Sequence, residues 1–336
     1  MFGIKAAELP QRIAFLLIPD FSMIAFTSAV EPLRLANRAS GQQLYSWHLF
    51  SQDGGPVRAS NGIAIHPEGP MEKASGFGTV VLCSGIDVHR QGDKTLFAWL
   101  RRMDRQGADI GALCTATHIL ARAGLLDGYR CTIHWENIAA LVEDFPELDV
   151  TSELFEVDRN RFTCAGGTAA LDMMLNLIAL QHGHELAAAV SDQFMHERIR
   201  DRHDQQRMAL PARLGVRHPK LIAVIRLMEQ NLEEPLSRAE LAAAAGLSSR
   251  QLERLFRKYL NRSPARYYIE LRLNRARLLL LQTNLSVIDV ALACGFVSAS
   301  HFSKCYRDFF GKTPRRERSL PAVTAAAPME LRPTGT

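Results

Sequence analysis

Leu236-Ser237-Arg238-Ala239-Glu240-Leu241-Ala242 and Leu285-Ser286-Val287-Ile288-Asp289-Val290-Ala291 are two copies of one pattern, 49 positions apart. Ala244-Ala245-Gly246-Leu247 and Ala293-Cys294-Gly295-Phe296 continue it at the same offset. The offset then becomes 50, so that Leu252, Leu255, Phe256 and Arg257 fall on Phe302, Cys305, Tyr306 and Arg307. An internal repeat of one supersecondary unit decides the fold of the region that contains it.

Each copy reads as a helix-turn-helix. Ser237 with Glu240, and Ser286 with Asp289, set a hydroxyl three residues ahead of a carboxylate, the pattern of a capped helix start. Small residues at 242–245, and at Ala291 and Ala293, allow a second helix to approach closely. Gly246 and Gly295 end the helix where a positive φ costs little. Ser248 or Ser249, and Ser298, then cap a second helix whose first residues are polar. In a helix-turn-helix that second helix enters the major groove with its N-terminal side chains nearest the base edges. The competing reading, two ordinary hairpins of a helical bundle, is opposed by charge. Residues 213–318 hold 20 Lys+Arg against 9 Asp+Glu, a net of +11, whereas the whole chain is +5 and the remainder −6. A basic third on an acidic remainder suits a module that meets phosphates.

Between the copies, residues 264–282 carry Tyr267, Tyr268, Leu271, Leu273, Ala276, Leu278, Leu279 and Leu280 on a long helical pattern, with Ser263-Pro264 as cap and first turn. A rod of roughly 26 Å follows, suited to holding two recognition helices about one 34 Å DNA turn apart.

On these residues the region 219–318 resembles the two-helix-turn-helix domain of AraC-family transcriptional regulators. The stretch Ile288 to Phe296, Ser300-His301-Phe302-Ser303-Lys304 and Phe309-Phe310-Gly311-Lys312-Thr313-Pro314 carry that likeness. It implies base contacts from Ser249, Arg250, Gln251 and Arg254 in the first recognition helix. In the second they would come from Ser298, Ser300, His301 and Lys304. Arg257, Arg307, Arg315 and Arg316 are expected on phosphates, which fix register and not sequence.

The whole chain, at 336 residues, is long enough for two domains. No apolar run reaches the length of a membrane span, and the first ten residues lack a secretory pattern. Cys83, Cys114, Cys131, Cys164, Cys294 and Cys305 have no metal-ligand spacing; they read as reduced thiols of a cytoplasmic protein. No metal or cofactor is expected. The tail, 319–336, is rich in Pro, Ala and Thr and reads as disordered.

The first part of the chain alternates short apolar strands with helices. Strands are expected at 12–18, 45–51, 63–66, 79–83, 109–113 and 130–133. Helices are expected at 23–36, 94–106, 114–123 and 171–180, the last continuing to about 195. The alternation argues for a parallel α/β sheet covered on both faces, with ligands at the carboxyl ends of its strands. Cys114 stands at such an end and opens a helix, where the dipole would favour its thiolate. His134 follows another strand. Residue pattern alone favours a buried thiol and a satisfied imidazole over a catalytic pair. Ala165-Gly166-Gly167-Thr168 lacks a phosphate-loop lysine and reads as close packing. Residues 197–218 are charged, aperiodic and contain Pro211, the composition of a linker.

The elbow Ile110-Gly111-Ala112-Leu113-Cys114-Thr115-Ala116-Thr117, with the run Leu120 to Gly128 and Thr132-Ile133-His134-Trp135, resembles the PfpI-type, class I glutamine-amidotransferase-like domain. The likeness implies a flavodoxin-like sandwich over 11–196, a linker at 197–218 and the reader at 219–318. It makes Cys114 the elbow cysteine, His134 its neighbour and Ser84-Gly85 the facing loop. Two departures weigh against thiol chemistry: Met23-Ile24-Ala25 offers no acidic partner, and Ala116 replaces the usual glycine. Together the two likenesses resemble GlxA-type regulators, in which the enzyme-like domain is a sensor. Phe21-Ser22-Met23 and Ala29-Val30-Glu31-Pro32-Leu33-Arg34 resemble members responding to glycine betaine, carnitine or arginine.

A zwitterionic effector needs an anion site and a cation site. Backbone N–H groups of Cys114, Thr115, Ser84 and Gly85 are the expected anion site. Trp135, Phe21 or Trp47 would face a quaternary ammonium, balanced by Glu31; the alternative for Glu31 is a solvated helix face or a pair with Arg34. The expectation is a ligand-responsive activator without catalytic residues. Its partners would be double-stranded operator DNA, a small effector, RNA polymerase and a second copy of the chain. A cysteine enzyme (amidase, protease or deglycase) and a Cys114 redox switch are the rivals.

Overall fold

A computed structural model describes residues 9–319, and all of the expected tail beyond Ser319 lies outside them. The chain divides into two compact units that meet at Arg207 and Met208.

The first unit is built on a seven-stranded sheet. Its order is Phe155–Asp158, Arg161–Cys164, Asp109–Leu113, Thr79–Cys83, Gln11–Leu17, Tyr45–Ser51 and Gly69–Pro70. Every neighbouring pair is parallel except the first, which is antiparallel. Successive residues of a strand face opposite sides, so a strand covered on both faces must be apolar throughout. Ile13, Phe15 and Leu17 enter one core with Val81 and Cys83; Ala14, Leu16 and Ile18 enter the other with Val80 and Leu82. The first face is closed by Met23–Ser40, Ala169–His182 and His184–Gln193, the second by Lys94–Arg105 and Ala116–Arg122.

Several segments differ from the sequence reading, among them the expected strand at 130–133, which is Arg130–Thr132 paired with Asp149–Thr151 outside the main sheet. The segment expected as a strand at 63–66 is a two-residue strand, Ala64–Ile65, paired with Val57–Arg58 outside the main sheet. The long helix expected to run to about 195 is broken at Gly183 (φ 95). Residues 197–218 are not a bare tether. Asp172, fully buried, accepts from His196 Nε2 at 2.9 Å, the Arg200 amide at 2.7 Å and Arg200 Nε at 2.8 Å. Further on, Leu210–Leu214 forms a short helix, and Leu210 and Val216 join the core of the second unit.

The second unit is helical among its described residues. Arg238–Ala244 and Ser249–Leu260 form one helix-turn-helix, Val287–Ala293 and Ala299–Phe310 the other, with the 19-residue helix Pro264–Gln282 between them. The two recognition helices bury their residues in the same order, with Leu252 and Phe256 inward in one and Phe302 and Tyr306 in the other. The repeat also runs further than the sequence reading took it. Asn261 (φ 51) and Gly311 (φ 72) end the recognition helices, and Ser263-Pro264 and Thr313-Pro314 cap the next ones. In each copy a cation after that end holds a buried carboxylate: Arg262 with Glu270 at 2.5 Å, Lys312 with Glu317 at 3.0 Å.

Candidate functional site

The elbow of the first unit lies where three neighbouring strands end, at Cys83, Leu113 and Cys164. Cys114 takes φ 61 directly after its strand, and its N–H donates to Cys164 O at 2.9 Å. The Thr115 hydroxyl donates to Gly85 O at 2.6 Å, tying the elbow to the loop that holds Ser84. Gly166 closes over the thiol: a Cβ there would sit 2.7 Å from the Cys114 Cβ, at a φ of 87. His134 reaches the elbow through its backbone, donating to Cys114 O at 3.3 Å.

Cys114, Thr115, Ser84, Gly85 and His134 are therefore brought together, but their chemistry differs from the expectation. The Cys114 N–H is already used and cannot serve an anion. The adjoining helix, Ala116–Arg122, is short and begins two residues beyond the cysteine. Its dipole does not govern the thiol. Burial, with the Glu136 charge adding, pushes Cys114 up to about 12 against a smaller opposing contribution from the Thr115 N–H. Burial also lowers His134 to about 4. Near neutral pH both are uncharged, which is the reverse of a thiolate–imidazolium pair. Ser84 Oγ is buried with no hydrogen-bond partner among the described residues, and it leaves one donor beside the elbow.

Of the other expected ligand residues, Glu31 and Phe21 fall elsewhere, while Trp135 stands beside His134. Glu31 lies eight residues into the helix Met23–Ser40, roughly 12 Å along it, and pairs with Arg34 at 2.6 Å on an exposed face. Phe21 is fully buried, packed edge-on against Phe26. Trp135 is half-buried, and the Arg207 guanidinium covers its ring at 4.1 Å. Sequence reading missed both Arg207 and Glu136; their only signal was proximity to His134 and to the end of the charged segment.

In the second unit the recognition helices are fixed at their starts. Ser248, not Ser249, is the first cap: its Oγ accepts from the Gln251 amide at 3.2 Å, and Gln251 Oε1 accepts from the Ser248 amide at 2.8 Å. The Gln251 side-chain carbonyl is therefore engaged by the cap, which leaves its NH₂ group on an exposed residue. Ser298 Oγ accepts from the His301 amide at 3.3 Å, and His301 Nε2 lies 3.3 Å from Cys305 Sγ. Arg250, Arg254, Ser300, His301, Lys304 and Arg307 are exposed, and Ser249 is half-buried. Arg257 is exposed and leans on Glu253 at 3.6 Å. Val297, just before the second cap, is 99% exposed. It is an apolar group suited to a thymine methyl, hidden in the sequence because an isolated valine reads as core.

The fold and these two surfaces define a DNA-binding regulator: an enzyme-like sandwich joined to a double helix-turn-helix reader. Comparison with known proteins agrees. The DJ-1/PfpI family matches residues 11–180 and a helix-turn-helix domain matches 241–319. The chain is 51% identical over 327 residues to the HTH-type transcriptional regulator GbdR of Pseudomonas aeruginosa, covering 96% of this chain and 89% of that protein. It is 48% identical over 328 residues to CdhR of the same organism, covering 97% of each. A solved AraC family transcriptional regulator from Pseudomonas putida is 29% identical with a TM-score of 0.51, covering 55% of this chain and all of that one. The chain belongs to the HTH-type transcriptional regulators that carry a DJ-1/PfpI domain ahead of an AraC-type reader. Among the described residues, no helix is long and apolar enough to cross a membrane.

Proposed function

We propose that this regulator is an activator that responds to a small metabolite carrying both a cation and a carboxylate, of the glycine betaine, carnitine or arginine kind. Trp135 with Glu136 supplies the cation side, and the Ser84 hydroxyl at the elbow supplies a donor to the carboxylate. Arg250, Gln251, Arg254, Ser300, His301 and Lys304 read base edges, while Arg257 and Arg307 meet phosphates. The protein acts in the cytoplasm as a homodimer and engages RNA polymerase at its operator. The observation that carries the sensing role is the elbow itself. It keeps the placement of a nucleophile while burial holds Cys114 and His134 neutral, so the geometry is suited to binding and not to turnover.

Thermal unfolding of the full chain tests this with glycine betaine, carnitine, choline and arginine in turn. An effector at about 100 times its Kd stabilises the folded state by about 2.7 kcal/mol, a readable rise in Tm. No rise with any of the four removes the cation–carboxylate reading.

A further inference from the structure

The last residues of the first unit turn back onto the segment that follows the elbow. Gln206 Nε2 donates to Glu153 O at 2.8 Å, Thr132 Oγ1 at 3.0 Å and Ile133 O at 3.1 Å. The next residue, Arg207, lays its guanidinium over the Trp135 ring at 4.1 Å. Glu136 is the residue after Trp135: burial raises its carboxyl, the nearby Arg207 charge works against that, and the Glu136 charge in turn acts on the Cys114 thiol. An aromatic face with a carboxylate beside it is a receptor for a cation. Here it already has one, taken from the chain.

We propose that Trp135 and Glu136 form a cation-binding half-site, that Arg207 is its resident occupant, and that the effector's quaternary ammonium or guanidinium takes its place. This rests on the effector reading above and deepens it. Arg207 is the final residue of the first unit, and Met208 opens the second. Exchange at Trp135 therefore frees the peptide that leads into the reader. Because Arg207 is tethered, its local concentration is high, and a bare cation competes poorly with it. An effector that also places a carboxylate at the elbow gains a contact that Arg207 does not make. That differential is what shifts the equilibrium. The same contact explains how a residue in a charged, aperiodic segment comes to be held in place.

Trypsin reads the contact directly, because cleavage of the Arg207–Met208 bond requires the Arg207 side chain to leave Trp135 and enter the protease. In the full chain, Trp135→Leu is expected to speed cleavage at that bond about fivefold or more, with cleavage after Arg213 unchanged as the internal control. Glu136→Gln, on a half-exposed side chain, gives a smaller acceleration, about twofold, and serves if the tryptophan variant folds poorly. With wild-type protein, whichever of glycine betaine, carnitine or arginine raises Tm should also speed cleavage after Arg207, and tetramethylammonium should do so only weakly. Unchanged cleavage in both variants overturns the resident contact. A compound that raises Tm and leaves cleavage after Arg207 unchanged overturns the exchange while leaving the effector reading intact. No rise in Tm with any compound, beside faster cleavage in Trp135→Leu, keeps Arg207 on Trp135 but overturns both the effector reading and the exchange.

Discussion

Cys114 in the sensor elbow and Gly246 in the first reader turn share a φ of 61, and each leads into a helix. The two turns serve opposite ends. At the elbow Gly166 closes over the side chain, and Cys114 is 8% exposed with its thiol neutral. At the reader turn the helix that follows is held by its cap, and its first side chains point into solvent. A cysteine, which pays for positive φ, is kept where packing from all sides holds it; glycine serves where the turn stands in the open. The local conformation does not distinguish the two. What lies above the turn does.

Glycine substitutions separate the two turns most strongly. Gly166→Ala drives a Cβ to within 3 Å of Cys114 Cα and Cβ at a positive φ, and is expected to destabilise the first unit by more than about 3 kcal/mol. Gly246→Ala has only the Lys220 amine near its new methyl, at 3.7 Å, and is expected to cost about 1 kcal/mol. Urea unfolding of the two full-length variants measures the gap; equal losses would show that the elbow is not packed as described.

A smaller effect sharpens the reader side. Arg250→Ala and Lys304→Ala should each weaken specific binding by about 1–3 kcal/mol and relax the sequence preference at one position. Arg257→Ala and Arg307→Ala should weaken every sequence alike and flatten the salt dependence. Binding titrations on matched and mismatched DNA at several salt concentrations separate the two classes.

The smallest effect concerns the elbow and pH. His134 is lowered to about 4 by burial, so between that value and its ordinary 6.5 the unfolded chain binds more protons than the folded one. Its contribution is present above pH 6.5 and is lost as pH falls toward 4. The full linkage is about 3 kcal/mol. With the side chain 30% exposed, about 1–2 kcal/mol is the expected share. His134→Gln should flatten the fall in Tm between pH 6.5 and 4.5; an unaltered slope would place the ring in solvent.

The sequence made the centre of the first unit and the two helix-turn-helix copies legible for one reason: burial there is mainly apolar. Thr79–Cys83 and Asp109–Leu113 are buried on both faces and were found with their bounds. The antiparallel edge pair was missed because charged residues, Glu156 and Arg161, are buried in it among the apolar Phe155, Phe162 and Cys164. Arg161 is buried with Asp104 at 2.5 Å and donates to Leu125 O, and Glu156 is buried near Arg130 at 3.4 Å. A hydrophobic pattern does not register such strands. Residues 197–207 were read as linker for the same reason, since Asp172 and Trp135 hold them through charge. At the candidate site, Cys114 and His134 follow the strand ends that the pattern indicated. The direction of their ionisation depended on loops far away in sequence, and so did the separation of Glu31 from the elbow.

Two helices of one chain, Ser249–Leu260 and Ala299–Phe310, are proposed to read DNA together. Selection of bound sequences from random duplex DNA by the full-length protein tests it most directly. Two short half-sites about 10–10.5 base pairs apart are expected, with Arg250→Ala relaxing preference at one position of one half-site and Lys304→Ala at one position of the other. A single half-site indifferent to one of these substitutions, or no enrichment at all, would contradict the claim.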